Sequence, residues 1–301
     1  MRIADVASTT DTGRKRRRNE DAYVCQPPLF AVADGMGGPR AGEVASSLAA
    51  AAVKADEAGG AGVERVVALI QEANRRIFER SSEDENTSGM GTTLTVALVD
   101  DGGVAIGHVG DSRAYLARDG ALEQLTEDHS LVAELVRGGK ISPEEAVHHP
   151  QRSVITRALG TDPDVDADAF TVLPQPGDVF LLCSDGLTTM VSDETILRVI
   201  EEHHGQLSRA ARELVKLANR AGGEDNITVV AFEVTDEPEE QTVEQTRPLP
   251  AVAEKEDEDT LDELDGVPVV EEPRKRHRWP FVLLLLLLVV AAAVVVWVVT
   301  R

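Results

Sequence analysis

Four aspartates stand where apolar strand-like runs begin or end, a placement that suits ligands to a hard metal ion. Leu29-Phe30-Ala31-Val32-Ala33 leads into Asp34-Gly35, and Val179-Phe180-Leu181-Leu182-Cys183 leads through Ser184 into Asp185-Gly186. Asp111 follows Ile106-Gly107-His108-Val109-Gly110, and Asp225 precedes Asn226-Ile227-Thr228-Val229. A carboxylate at the mouth of a buried strand is rigidly placed. No His or Cys lies at metal-ligand spacing, so the donor set is oxygen only, which favours Mg²⁺ or Mn²⁺ over Zn²⁺. The plainer reading is a set of turn-forming aspartates. Asp-Gly also occurs at Asp101, Asp119 and Asp265, where a turn or a linker is explanation enough.

The elements that would position these acids are legible as strands and helices. Runs rich in Val, Ile, Leu and Thr, bounded by Gly, Asp or Pro, predict strands at Arg2–Thr9, Ala22–Cys25, Leu29–Ala33, Thr93–Val99, Val104–Val109, Arg113–Ala117, Val179–Cys183 and Ile227–Val234. Asp101-Gly102-Gly103 and Asp119-Gly120 are short enough to join neighbours as hairpins, so the sheets are expected to be antiparallel. Ala41, Val44, Ala45, Leu48 and Ala52 recur at helical spacing, as do Val63, Val66, Val67, Ile70 and Ile77. A third helix runs from Leu207 through Ala211, Leu214 and Ala218. Ser142-Pro143-Glu144-Glu145 opens a short one with a capping box. Strand groups separated by helix pairs predict an α+β fold of paired antiparallel sheets covered by helices.

Further motifs accompany these acids in order along the chain. They are Asp11-Thr12-Gly13, Arg16, Asn19-Glu20-Asp21, Asp34-Gly35-Met36-Gly37-Gly38, Ala41-Gly42-Glu43, Gly91-Thr92-Thr93, Gly110-Asp111-Ser112-Arg113, Thr126, Asp128-His129-Ser130, Ser184-Asp185-Gly186-Leu187 and Asp225-Asn226-Ile227-Thr228. Over residues 1–236 the chain resembles the metal-dependent, type 2C Ser/Thr protein phosphatases in their bacterial form. The resemblance implies a β-sandwich of two antiparallel sheets flanked by helix pairs, with a two-metal site at one edge that takes Mn²⁺ or Mg²⁺. By motif, Asp34 would bridge both metals and act in catalysis. The Gly35 carbonyl would complete one metal, and Asp185 and Asp225 would hold the other. Asp21, and Glu20 with it, would act through water, and Asp111 would belong to a weak third metal. Arg16 would clamp the substrate phosphate, since a planar guanidinium grips two oxygens at once. Two divalent cations offset phosphate charge and lower the pKa of a bridging water to give hydroxide at neutral pH. The implied substrates are phosphoserine and phosphothreonine proteins, and the implied partners are membrane Ser/Thr kinases and their targets.

Some positions depart from that pattern. Met36 and Pro39 stand where relatives often carry His, leaving metal-bound water as the general acid. Thr189 stands where an Asp is common, which weakens a third metal. His129 is expected to be structural, and Gly138–Leu159 to form a variable flap beside the site, with His148 and His149 exposed on it. Arg14, Lys15, Arg17 and Arg18 extend Arg16 into an unusually basic run, read either as a solvated loop or as a recruiter of acidic or multiply phosphorylated substrates. An enzyme is the expected reading because every main-site acid is present. The alternative is a catalytically silent, phosphoprotein-binding membrane scaffold.

Charge divides the chain of 301 residues, whose formal net charge is −23. Residues 237–272 hold 14 acids and 2 bases, and their Pro-containing, aromatic-poor composition predicts a disordered linker. Such a linker would reach on the order of 35 Å as a coil. Residues 273–280 include Arg274-Lys275-Arg276-His277-Arg278, a basic juxtamembrane segment. Phe281–Val299 is 19 residues without a charge, about 28 Å as a helix, which predicts a single transmembrane helix. Bases upstream of the span put the domain at residues 1–236 on the cytoplasmic side of the cell membrane, tethered by its tail. No signal peptide is expected. Two cysteines suggest a reducing compartment, and the acidic balance argues against nucleic acid as a partner.

Overall fold

The structure is a computed structural model that describes residues 2–37, 41–57, 59–83 and 87–236. Side chains along each strand alternate between two faces, and this period sorts the apolar residues into layers. The strands and helices follow the chain as β1 (Arg2–Asp11), β2 (Asp21–Gln26), β3 (Leu29–Met36), α1 (Ala41–Ala55), α2 (Gly62–Glu83), β4 (Gly91–Thr92), β5 (Leu94–Asp100), β6 (Gly103–Val109), β7 (Arg113–Arg118), β8 (Ala121–Gln124), α3 (Leu131–Arg137), α4 (Pro143–Val147), β9 (Asp168–Val172), β10 (Val179–Cys183), α5 (Asp185–Thr188), α6 (Asp193–Glu202), α7 (Leu207–Ala221) and β11 (Ile227–Thr235). One sheet has the order β1-β11-β10-β7-β8 and the other β2-β3-β5-β6-β9, with β4 against β3, and their pairings are antiparallel.

The core between the sheets holds Phe30, Val32, Ile106, Leu116, Phe180, Leu182 and Phe232. Phe232 stacks on Phe30 at 4.2 Å and on Phe180 at 5.0 Å between ring centroids. The outer face of the β3-containing sheet packs Ala31, Val96 and Leu98 with Ala45, Val66, Leu69 and Ile70 of α1 and α2. The outer face of the other sheet packs Leu181, Val229 and Ala231 with Leu187, Ile196, Leu214 and Ala218 of α5 to α7. The α+β expectation of two helix-flanked antiparallel sheets is met. Asp119 and Gly120 have φ of 51° and 75°, the left-handed pair that a two-residue hairpin between β7 and β8 requires. The capping box of α4 is present, with the Glu145 N–H donating to Ser142 Oγ at 3.2 Å and Ser142 N–H to Glu145 Oε2 at 2.8 Å.

The sequence expectation omits β4, β8, β9, α3, α5 and α6. Strand β8 is a largely exposed four-residue strand with no apolar face, and α3, although Leu131 and Leu135, Val132 and Val136 stand at helical spacing, is only seven residues long. The excursion beside the site is longer than Gly138–Leu159. It starts with α3, because Leu131 N–H donates to the Val154 carbonyl at 2.9 Å and Ser130 bridges to Ile155. His148 is exposed and His149 half-buried. Among the described residues no helix is long and apolar enough to cross a membrane. Pro39, the linker at 237–272, the basic segment at 273–280 and the span at 281–299 lie outside the described residues.

Candidate metal centre and active site

Strand register alone places two of the acids side by side. Asp21 opens β2 and Asp34 lies near the end of β3, and the two are direct cross-strand partners. The backbone of Asp34 is clamped by the segment around β4. Its N–H donates to Thr93 Oγ1 at 2.9 Å, and its carbonyl accepts from Thr93 N at 2.9 Å and Thr92 Oγ1 at 2.8 Å. Gly35 follows, with its N–H on the Glu20 carbonyl at 3.1 Å. A Cβ at Gly35 would sit 2.1 Å from the Gly42 carbonyl oxygen, so only glycine lets the strand end press against the start of α1.

The other sheet supplies Asp185 and Asp225 from adjacent strands. Asp185 begins α5 directly after β10, and Asp225 precedes β11. The chain between β10 and α5 turns at Ser184, whose hydroxyl donates to Asp21 Oδ2 at 2.8 Å. Thr228 Oγ1 donates to the same oxygen at 2.6 Å. Asp21 is thus held across the sandwich by two hydroxyls from the opposite sheet. Gly186 is pressed so closely on Asn226 that a Cβ would fall 2.0 Å from its carbonyl oxygen. Asp111 sits at the turn between β6 and β7 and is 9 % exposed. A cleft of about 600 Å³ runs from Asp111 and Asp185 outward between the body and the α3–α4 excursion, past Val132, Val136 and Val147.

So many acids in one buried place repel one another. Burial raises Asp21 and Asp111 to about 7 and Asp185 to about 6, with Asp185 adding to the rise at the first two and Asp225 at the last. Asp34 lies well above the usual carboxylate range, first through burial and then through Asp21, Asp185, Asp111 and Asp225. Asp21 Oδ1 and Asp185 Oδ1 are buried and have no hydrogen-bond partner among the described residues. Folded proteins rarely leave such oxygens unpaired, and a cation is one way to satisfy them. Among the described residues no three carboxylate, imidazole or thiol side chains are gathered so as to hold an ion by themselves. The donor set nevertheless fits Mg²⁺ or Mn²⁺, which accept carboxylate, carbonyl and water oxygens; Mg²⁺ in particular keeps several waters and needs only one or two carboxylates.

Arg16 projects from the loop between β1 and β2, with its side chain 48 % exposed. Its Nη2 donates to Asp225 Oδ2 at 2.6 Å, and its Nη1 lies 3.6 Å from Glu20 Oε2. The expected phosphate clamp and the expected metal ligand therefore meet in an ion pair. Thr189 Oγ1 donates to the Asp185 carbonyl at 2.8 Å and serves the backbone of α5. His129 is structural, as expected. Its Nδ1 accepts from Gly110 N–H at 3.0 Å, and its Nε2 lies 3.2 Å from Asp168 Oδ2 and 3.0 Å from Arg157 Nη1. The same Arg157 Nη1 donates to Asp168 Oδ1 at 2.8 Å.

Sequence reasoning assigned no role to Asn226, Ser184, Thr228 or Thr93, yet these residues position the acids. Asn226 is 2 % exposed. Its Nδ2 donates to the carbonyls of Thr12 and Arg18 at 2.9 Å each, and its Oδ1 accepts from Glu20 N–H at 2.7 Å. One amide thus shapes the whole Arg16 loop. The available signal was a polar residue placed between a strand-end Asp and an apolar run.

The family described as Protein phosphatase 2C matches residues 13–220. The chain is 42% identical over 262 residues to the serine/threonine protein phosphatase PstP of Mycobacterium tuberculosis, covering 86% of this chain and 50% of that protein, so it spans about half the length of that relative. It is 45% identical over 241 residues to the serine/threonine phosphatase stp of Listeria monocytogenes, covering 74% of this chain and 93% of that one. The crystal structure of the catalytic domain of PstP in complex with two manganese ions superposes with a TM-score of 0.70 at 41% identity, over 78% of this chain and 99% of that one. The chain belongs to the protein phosphatase 2C family.

Proposed function

We propose that this chain hydrolyses phosphoserine and phosphothreonine esters of proteins with Mn²⁺ or Mg²⁺, from the cytoplasmic face of a membrane to which its tail anchors it. The observation that carries the activity is the convergence of Asp21, Asp34, Asp185 and Asp225, two of them with unpartnered buried oxygens, beside the guanidinium of Arg16. Divalent cations at these acids would neutralise phosphate charge and lower the pKa of the attacking water. Asp34, Asp185, Asp225 and the Gly35 carbonyl would hold them, with Asp21 and Glu20 acting through water and Asp111 serving a weaker third. Arg16 is half exposed and needs only to leave Asp225 to present two N–H groups to a phosphate. The solved PstP catalytic domain with its two manganese ions supports the same cofactor here.

The anchor rests on the uncharged run Phe281–Val299 and the bases before it. Tethering would raise the effective concentration of substrates on the same surface, with membrane Ser/Thr kinases and their targets the expected class. Phosphate release from a phosphothreonine peptide by the full chain in mild detergent, with Mn²⁺ and with EDTA, tests the enzyme. Release that requires Mn²⁺ and is lost in Asp34→Ala is expected. A folded wild-type chain with no release in either Mn²⁺ or Mg²⁺ would instead leave a phosphoprotein-binding scaffold. Resistance of the membrane-associated chain to alkaline extraction tests the anchor, and release into the supernatant would refute it.

A further inference from the structure

The basic run Arg14–Arg18 exceeds what catalysis requires. Arg16 is engaged with Asp225 and Glu20, and Arg18 Nη1 lies 3.5 Å from Glu43 Oε2. Arg14, Lys15 and Arg17 are exposed, and no side-chain partner is found for them among the described residues. The chain has 53 acidic and 30 basic residues. Three unpaired cations within four consecutive positions are a local excess of positive charge in a protein of the opposite sign.

The loop that carries them is fixed. Arg14 N–H and Lys15 N–H donate to the Gly223 carbonyl at 2.7 and 3.2 Å, and Asn226 holds the carbonyls of Thr12 and Arg18. Asp11 Oδ1 accepts from Gly13 N–H at 2.8 Å and from Asn219 Nδ2 at 3.0 Å. Gly13 has φ +75°, and a Cβ there would sit 2.1 Å from the Asp225 carbonyl oxygen. The backbone that carries the cations is therefore held against the Asp225 segment, with Arg14 and Lys15 on one side of Arg16 and Arg17 on the other.

We propose that Arg14, Lys15 and Arg17 form a docking surface for acidic or further phosphorylated side chains that neighbour the phosphoresidue in a protein substrate. The inference rests on the phosphatase reading and names its preferred substrate class. Charge complementarity supplies the attraction, and the rigid loop makes it local, so that anions a few residues from the scissile phosphate are favoured over neutral side chains.

The test uses the full chain in nonionic detergent with Mn²⁺ and three phosphothreonine peptides of equal length. One has neutral flanks, one has Asp and Glu flanks, and one carries a second phosphoserine. The expected kcat/KM ratio of the acidic or doubly phosphorylated peptide to the neutral one is about tenfold at low salt and about twofold at 300 mM salt. In Arg14→Gln/Lys15→Gln/Arg17→Gln the ratio falls below about twofold at both salts. Arg14→Lys/Arg17→Lys keeps the charge and restores most of it, which separates lost charge from lost fold. Equal ratios in the wild type and the triple Gln variant would overturn the proposal. Turnover of p-nitrophenyl phosphate by the wild type tests the phosphatase reading separately. Should it be absent, fluorescence anisotropy of the labelled doubly phosphorylated peptide decides. Binding about tenfold tighter to the wild type than to the Gln variant supports docking. Equal binding, or tighter binding of a single-stranded oligonucleotide, refutes it.

Discussion

Two arginine–aspartate groups at the same end of the sandwich are completed to different degrees. Arg113 grips Asp128 with two bonds of 2.8 Å and donates from Nη1 to the Tyr115 hydroxyl at 3.0 Å, which in turn donates to Asp193 at 3.1 Å. Every charge there has a partner within the protein. Arg16 makes one bond to Asp225 from a half-exposed side chain, while Asp21 and Asp185 keep buried oxygens without partners. The same residue types thus build a closed brace in one place and an unfinished site in the other. The lesson is that satisfaction, rather than composition, separates structural charge from functional charge. A closed network needs nothing from solution, and an open one needs a cation and an anion.

The largest effect should come from emptying the open group. Asp34→Ala is expected to lower Mn²⁺-dependent phosphate release more than about 1,000-fold, because the acid at the centre of the cluster is lost. Circular dichroism should show the variant still folded, and activity within tenfold of wild type would contradict the site. Breaking the closed brace should act on stability instead. Arg113→Met strands Asp128 and is expected to cost about 3 kcal/mol in urea unfolding; a cost under about 0.5 kcal/mol would erase the contrast between the two groups.

A third test uses the histidine packed beside the brace. His108 is fully buried between Thr95 and the Glu127 carbonyl, and burial, helped by His129, lowers its pKa to about 4. Its folded value lies below the ordinary 6.5, so the unfolded chain takes the proton first. Stability from this group is therefore complete above pH 6.5 and is lost as pH falls toward 4, by about 1.4 kcal/mol per pH unit at the steepest. His108→Gln should flatten that part of the stability curve by about 2 kcal/mol between pH 6.5 and 4.5. An unchanged slope would refute it. The smallest effect is expected at Asp185→Asn without metal. Removing one charge from a self-repelling group should raise stability by about 1 kcal/mol at neutral pH, while most of the stabilisation by Mn²⁺ disappears. Thermal unfolding with EDTA and with Mn²⁺ reads both, and a destabilised metal-free variant would show that the acids do not strain the fold.

The parts of the site that were legible share a signature. β3, β10 and β11 are apolar runs with an aspartate at one end, so both the strand and its acid could be read together. The hydroxyl and amide supports were not legible, because Ser184 reaches back 163 residues to Asp21 and Asn226 reaches 214 residues to Thr12. Contacts at that range leave no local pattern. Helix α6 did carry one, with Ile196, Val199 and Ile200 at helical spacing behind the Ser192 cap. Helix α3 carried a shorter one, Leu131 with Leu135 and Val132 with Val136, over only seven residues. The ion pair of Arg16 with Asp225 was hidden for the same reason as the supports, being set by tertiary contact.

The pairing of β1 with β11 has a consequence for the timing of synthesis. Among the described residues β1 pairs only with β11, the last strand, and Asp11 at its end lies opposite Ile227. A ribosome must therefore make almost the whole domain before that sheet can close, and Asp225 is among the final residues to arrive. Asp34 and Asp21 emerge some 200 residues earlier and wait without their partners. No truncated or unfinished chain ending before that point can assemble the site.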